Sequence, residues 1–147
     1  MLSKQSKFWI QSGATLGGLA VVTGALAAHG LEEYLLVLYQ GVYIETLAGP
    51  VAAASKYLAD FKTAAEYQTY HALALVCLGL IPQVTARRLT TIAGWSFILG
   101  IFLFCGSLYA LVLTGATRFG MITPVGGLSF IVGWLCLALT VAGKSDQ

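Results

Sequence analysis

The chain has 147 residues, of which 58% are hydrophobic and only 10% are charged, and its formal net charge is +2. Soluble globular domains carry roughly a quarter charged residues, so this composition excludes the soluble, the disulfide-rich secreted and the nucleic-acid-binding classes. A mean hydropathy of +0.82 is typical of an integral membrane protein.

Four uncharged stretches follow one another along the chain, at residues 8–31, 67–86, 89–117 and 119–143. As a helix, each is long enough to cross about 30 Å of hydrocarbon at about 1.5 Å per residue. The sequence therefore predicts an all-α integral membrane protein, a four-helix bundle that forms a single membrane domain over residues 1–147. The predicted helices cover about residues 9–30, 67–85, 91–113 and 124–142, and Pro82 is expected to end or bend the second.

Positive charge is unevenly divided between the two ends of these helices. One end would hold both termini and the middle loop, where Asp146 alone opposes Lys4, Lys7, Arg87, Arg88 and Lys144. The other end would hold three basic residues and five carboxylates. Because Lys and Arg in short flanks stay on the cytoplasmic side, we expect a multi-pass protein of the bacterial inner membrane with both termini cytoplasmic. In a mitochondrial inner membrane, the alternative, they would face the matrix.

Small residues form a stripe on the first and on the fourth predicted helix. The stripes contain Gly13, Gly17 and Gly24 in the first helix and Gly126 and Gly133 in the fourth. Small residues let helix backbones approach closely in lipid, so we expect these two helices to pack on each other, either within the bundle or at a face between copies of the chain. The three cysteines show no disulfide or zinc spacing, and we interpret them as small packing residues.

Polar residues gather where the first predicted helix ends and the second begins, at the outer face. His29 and His71 would lie in the same leaflet, near Glu32, Glu66 and Tyr70. Two imidazoles with nearby carboxylates could hold Zn²⁺ or Cu²⁺, bracket a haem or hydrogen-bond a quinone. Only the two histidines are good metal ligands, however, so a purely structural role is the alternative. The sequence assigns no cofactor and no particular metal.

Four ordered motifs resemble the domain-of-unknown-function 423 family, which comprises small bacterial inner-membrane proteins and the mitochondrial transmembrane protein 256 relatives. The motifs are GALAAHGL at residues 24–31, FKTAAEYQTYHALAL at 61–75, FCGSLY at 104–109 and ITPVGG at 122–127, followed by Gly133 and Trp134. The resemblance implies a four-helix membrane topology and no established activity. It also implies that a shared polar site forms near the outer face from His29, His71, Tyr70, Tyr109 and Thr123.

The chain departs from that family by a long outer-face insertion at about residues 32–60. The insertion contains an uncharged run, residues 34–44, that is too short to span a membrane. After the break at Gly49 and Pro50, a helical stretch is predicted from residue 51 to residue 66. The insertion could lie in the membrane interface, or it could dock onto another membrane subunit. The docking residues would be Tyr34, Leu35, Leu36, Tyr39, Tyr43 and Ile44.

Two functions from different classes follow from these features. The first is a non-catalytic accessory or assembly subunit of a larger membrane complex, because the sequence shows no nucleophile and base pair, phosphate loop or paired catalytic carboxylates. Its partners would be the lipid bilayer and other membrane protein subunits, without nucleic acid. The alternative is a redox module that binds metal, haem or quinone at the outer face. A transporter or channel is less favoured, since no charge is expected at the middle of the membrane.

Overall fold

The computed structural model describes residues 2–81 and 87–142, which are mostly helical. Pro82, the predicted helix end at residues 82–85, Lys144 and Asp146 lie outside the described residues. The helices are α1 (Lys4–His29), α2 (Leu31–Leu38), α3 (Ala53–Leu80), α4 (Arg87–Gly100), α5 (Gly106–Thr114) and α6 (Thr123–Ala142), and the strands are β1 (Tyr43–Thr46) and β2 (Gly49–Ala52). A π-helical turn (Ile101–Cys105) joins α4 to α5, and a 3₁₀ helix (Thr117–Met121) precedes α6.

Three helical stretches among the described residues are long and apolar enough to cross a membrane. They are Lys4–His29, Arg88–Thr114 and Thr117–Thr140. The structure thus confirms that these three predicted spans are helices long and apolar enough to cross a membrane. The fourth predicted span belongs to α3, which begins at Ala53 and includes charged residues in its first half. Buried residues occur along α3 from Ala53 to Gly79, so the other helices surround much of this more polar helix.

The two stripes of small residues pack on helices other than those expected. A Cβ atom added at Gly13 would lie 2.6 Å from the carbonyl oxygen of Ala72, so the α1 stripe faces α3. A Cβ atom added at Gly126 would contact the backbone of Phe104, and one added at Gly133 would lie 2.5 Å from the Phe97 ring, so the α6 stripe faces α4 and the π-helical turn. The predicted packing of the first helix on the fourth is therefore wrong. Long helices that follow each other along the chain are usually neighbours in space. The stripe of α1 packs on α3, the next long helix, and the stripe of α6 packs on the preceding stretch of α4 and the π-helical turn.

The remaining stripe positions differ in how closely they pack. A Cβ atom at Gly17 would make an ordinary contact of 3.7 Å with the Cβ of Ala72 on α3. Gly24 has no neighbouring atom within 4 Å of such a Cβ. Gly24 is therefore not a packing position in this chain, although it continues the sequence stripe.

The insertion contains a short β-hairpin as well as a helix, so the prediction of an all-α chain is wrong in this segment. Strands β1 and β2 pair antiparallel, with Thr46 opposite Gly49. The Thr46 hydroxyl donates to the Gly49 carbonyl at 2.7 Å, and Gly49 has a φ of 108°, which favours glycine. The tight turn thus depends on both residues, and the predicted break at Gly49 is the place where the chain reverses.

A second small core fixes the insertion to α3 and α5. Leu35 of α2 is completely buried among Tyr57, Phe61 and Val112. The Tyr39 hydroxyl, just after α2, donates to the Val112 carbonyl at 2.8 Å. Burial in this core raises the pKa of the Tyr39 hydroxyl above its ordinary value near 10, and the neighbouring Tyr57 and Tyr34 add to the shift. The inner side of the insertion is therefore part of the fold.

Candidate functional site

The middle of α3 lies at the middle of the neighbouring helices. The Gln68 amide donates to the carbonyl of Leu16, which is halfway along α1, at 2.9 Å. The Tyr67 ring stacks on Phe104, near the middle of the Arg88–Thr114 stretch, with 4.8 Å between ring centroids. Residues 66–71 therefore lie deep between the ends of the bundle, rather than near its outer end as the sequence indicated.

His29 and His71 are consequently far apart. His71 is next to Ala72, which faces Gly13, and Gly13 lies about 24 Å along α1 from His29 at about 1.5 Å per residue. The expected meeting of the two imidazoles at the outer face is wrong, because α3 begins at Ala53 rather than near Tyr67. Among the described residues, no three His, Cys, Asp or Glu side chains converge as a metal site requires.

His71 ties α3 to α6. Its Nδ1 atom lies 2.7 Å from the carbonyl oxygen of Tyr67, and the Trp134 indole donates to its Nε2 atom at 3.2 Å. This pattern corresponds to a neutral imidazole whose Nδ1–H donates and whose Nε2 accepts. The Phe130 ring stacks on the imidazole at 3.4 Å between centroids. Both nitrogen atoms of this buried side chain are therefore already hydrogen-bonded.

Tyr109 and Thr123 belong to two separate polar contacts. The Tyr109 hydroxyl donates to the Gln68 side chain at 3.0 Å and lies 3.0 Å from the Thr23 hydroxyl, so this contact joins α1, α3 and α5. The Thr123 hydroxyl lies 2.8 Å from that of Ser107 and joins α5 to α6. The predicted polar cluster is thus divided among several places in the bundle.

An aromatic groove opens at the surface between α3 and α6, next to His71. Its volume is about 820 Å³. Six of its lining residues have aromatic rings: Tyr67, Tyr70, His71, Phe104, Phe130 and Trp134. No hydrogen bond joins the exposed hydroxyls of Tyr67 and Tyr70 to another residue in the part of the chain that the structure describes. This groove could not be predicted from the sequence, because its walls come from three separate segments.

Glu66 is an exposed residue of α3 that does not itself line the aromatic groove, although two neighbouring residues of the helix do. It directly precedes Tyr67 and is one helical turn from Tyr70. Within residues 2–81 and 88–140, the ion pair that forms is Lys56 with Asp60 on α3, and Glu66 takes no part in it. Glu66 thus combines exposure with a position near the middle of the bundle, at the level of Phe104 and Phe130.

His29 lies at the rim of a second groove, at the outer end of the bundle. This outer groove has a volume of about 720 Å³ and is lined almost entirely by apolar residues, including Val22, Leu26, Tyr34 and Phe61. His29 and the nearby Glu32 are both exposed. Of the predicted ligand residues, these two lie at the end of the molecule that carries the insertion.

The predicted docking residues of the insertion separate into two sets. Tyr34, Leu36 and Tyr43 are exposed, as docking requires. Leu35 is fully buried, and Tyr39 and Ile44 pack against the second core, so their assignment to a docking surface is wrong. Four further apolar side chains that were not predicted to dock are also exposed on the insertion: Val37, Leu38, Val42 and Leu47.

Comparison with known proteins agrees with the sequence motifs. Residues 23–127 match the model of a family described as protein of unknown function (DUF423). A UPF0382 membrane protein of Staphylococcus epidermidis is 40% identical over 133 residues, which cover 90% of this chain and 93% of that protein. The UPF0382 membrane protein YwdK of Bacillus subtilis is 36% identical over 134 residues, or 90% of this chain and 94% of that protein. No solved structure matches the chain. The predicted resemblance is confirmed, and the chain belongs to the DUF423 family, whose bacterial relatives are membrane proteins of unknown function.

Proposed function

We propose that the chain crosses a bacterial inner membrane four times, as a four-helix bundle with both termini in the cytoplasm. Helix α3 has 28 residues, so it is about 42 Å long, and it packs antiparallel along α1 from Gly79 beside Ser6 to Gln68 beside Leu16. Polar side chains inside a membrane usually face protein, as those of Gln68 and His71 do, whereas Glu66 is exposed. The basic residues near both termini support the orientation.

Within this topology, we propose that the protein is a non-catalytic accessory or assembly subunit that docks onto another membrane protein through its insertion. The observation that carries the proposal is the apolar outer side of the insertion. Leu47 at the hairpin tip is fully exposed, Val37 is 78% exposed and Tyr43 is 67% exposed. Exposed apolar surface of this kind is typical of interaction sites. The second core holds the insertion in place, so this surface is presented without further folding.

The geometry favours docking over the alternative of a metal-, haem- or quinone-binding redox module at the outer face. That alternative depended on His29 and His71 acting together, and the structure separates them along the bundle. His71 also has both ring nitrogens engaged by Tyr67 and Trp134.

The docking proposal is tested by removing the exposed apolar side chains while keeping the second core. The variant carries Val37→Ser, Tyr43→Ser and Leu47→Ser, and Leu2→Ser at the exposed N-terminal end is the matched control. We expect the wild type and the control to migrate with a stoichiometric companion protein on native gels of mild-detergent extracts, and the triple variant to migrate alone. A triple variant that keeps every wild-type companion would contradict the proposal.

A further inference from the structure

Glu66 places a carboxylate at a depth where carboxylates are costly. It precedes Tyr67, whose ring stacks on Phe104 and lies 6.2 Å from Phe130. Those two phenylalanines lie near the middles of two stretches that are long and apolar enough to span a membrane. If α3 crosses the bilayer as proposed above, Glu66 therefore faces hydrocarbon. Acidic side chains at this depth are rare and are paired or functional.

The chain does not supply the partner of this carboxylate among its described residues. Lys62 lies one turn nearer the outer surface on α3, and no ion pair joins it to Glu66. A long lysine side chain at this position can extend outward to the membrane interface. His71 is neutral in its observed hydrogen-bonding pattern, so it does not provide a positive charge. The counter-charge of Glu66 is thus expected from another molecule.

Tyr67, which follows Glu66, and Tyr70, one helical turn away, line the aromatic groove, which has the walls that organic cations prefer. Aromatic faces attract cations, and cages of aromatic rings are a common means of binding quaternary ammonium groups. The rings of Tyr67, Tyr70, Phe104 and Trp134 line the groove. The groove is open at the surface of the bundle and has a volume of about 820 Å³, which suits a ligand with several apolar substituents.

We propose that this groove binds a lipophilic organic cation, such as a quaternary ammonium or phosphonium ion, with Glu66 as its counter-charge. The ligand enters from the bilayer, between α3 and α6, and its apolar groups contact the aromatic walls. The proposal rests on the proposed crossing of α3 and is independent of docking through the insertion.

The test uses tetraphenylphosphonium and the full-length protein in nanodiscs of uncharged phosphatidylcholine. We expect saturable binding of one cation per chain, measured by equilibrium dialysis. Glu66→Gln should weaken binding by about tenfold or more, because the paired charge is lost in a poorly solvated place. Glu33→Gln, which changes an exposed carboxylate on α2, is the matched control and should leave binding unchanged. Tyr70→Leu should weaken binding by removing an exposed ring of the groove.

The anion tetraphenylborate separates recognition of charge from simple partition into an apolar groove. Equal saturable binding of the anion, equal binding by Glu66→Gln, or no saturable binding of the cation would each overturn the proposal. The comparison is valid if Glu66→Gln keeps the thermal unfolding midpoint of the wild type. Glu66→Asp, which retains the negative charge, should bind the cation more tightly than Glu66→Gln. If both fail to fold, the comparison of tetraphenylphosphonium with tetraphenylborate on the wild type decides whether the groove recognises positive charge, and Tyr70→Leu decides whether binding uses this groove.

Cysteine labelling distinguishes failure of the ligand from failure of the topology. In a background without Cys77, Cys105 and Cys136, Glu66→Cys should resist a membrane-impermeant maleimide. Labelling of this cysteine would refute the crossing of α3 and with it the proposed topology. A protected cysteine together with no cation binding would refute the ligand alone.

Discussion

Replacing Gly126 by alanine is expected to destabilise the bundle, whereas the same change at its neighbour Gly127 is not. A Cβ atom at Gly126 would lie 2.8 Å from the Leu103 carbonyl carbon and from the Phe104 Cα, and it would also meet the Phe104 nitrogen. These are backbone atoms of the π-helical turn, so a change of rotamer cannot relieve the contact. At Gly127 the nearest atom is Phe104 Cδ2 at 3.9 Å, an ordinary contact.

The expected magnitudes follow from two opposing effects. Overpacking costs about 1–3 kcal/mol, and alanine gains about 1 kcal/mol over glycine in helix propensity. We therefore expect Gly126→Ala to lower the free energy of unfolding by up to about 2 kcal/mol, near the upper end because the contacted atoms belong to the backbone. Gly127→Ala should leave this free energy unchanged or raise it by up to about 1 kcal/mol.

Reversible unfolding of the two variants by dodecyl sulfate in mixed micelles, followed by far-ultraviolet circular dichroism, measures the difference. A difference of about 2 kcal/mol corresponds to roughly 30-fold in the unfolding equilibrium constant. Gly24→Ala on α1 is the control, because an added Cβ there has no neighbour within 4 Å. If Gly126→Ala is as stable as Gly127→Ala, α6 does not approach the π-helical turn as described.

Three further predictions concern other parts of the fold. Gln68→Leu removes hydrogen bonds to α1 and α5, and we expect a loss of about 1–3 kcal/mol in the same unfolding assay; an unchanged stability would show that the buried amide contributes nothing. Because the pKa of Tyr39 is raised in the folded state, its contribution to stability is present below pH 10 and is lost as the pH rises through the folded-state pKa. Stability should therefore fall in alkaline solution more for the wild type than for Tyr39→Phe, and identical pH profiles would contradict this assignment. Leu47→Cys, in a chain without other cysteines, should react with an impermeant maleimide added outside intact cells; reaction only after lysis would reverse the proposed orientation.

Hydropathy alone predicted the three helical stretches that are long and apolar enough to cross a membrane. It did not show that the helical stretch predicted at residues 51–66 and the span predicted from residue 67 form one helix, α3. The first half of that helix contains four charged residues, and the last of them, Glu66, ended the uncharged stretch at Tyr67, although the helix begins at Ala53. The depth assigned to His71 depended on that boundary, and the error in the boundary became an error in the site.

The glycine stripes illustrate a second limit of the sequence. Spacing shows that Gly13 and Gly126 lie on faces that allow close approach, and the structure places both in tight contacts. Spacing does not identify the partner helix, because any backbone can fill the space that a glycine leaves. The contacts of His71 with Trp134 and Phe130 likewise could not be predicted, because they join residues of α3 and α6 that lie far apart in the chain.

The π-helical turn at Ile101–Cys105 has a consequence for the outer half of the protein. In this turn the Gly106 N–H donates to the Ile101 carbonyl, five residues earlier, so the turn holds one residue more than an α-helix would. Each residue of a helix corresponds to about 100° of rotation. If the same residues formed a regular α-helix instead, α5 would be rotated by about 100° about its axis relative to α4. Tyr109 would then turn away from Gln68, and Ser107 from Thr123, so a single extra residue sets the phase of every contact that α5 makes.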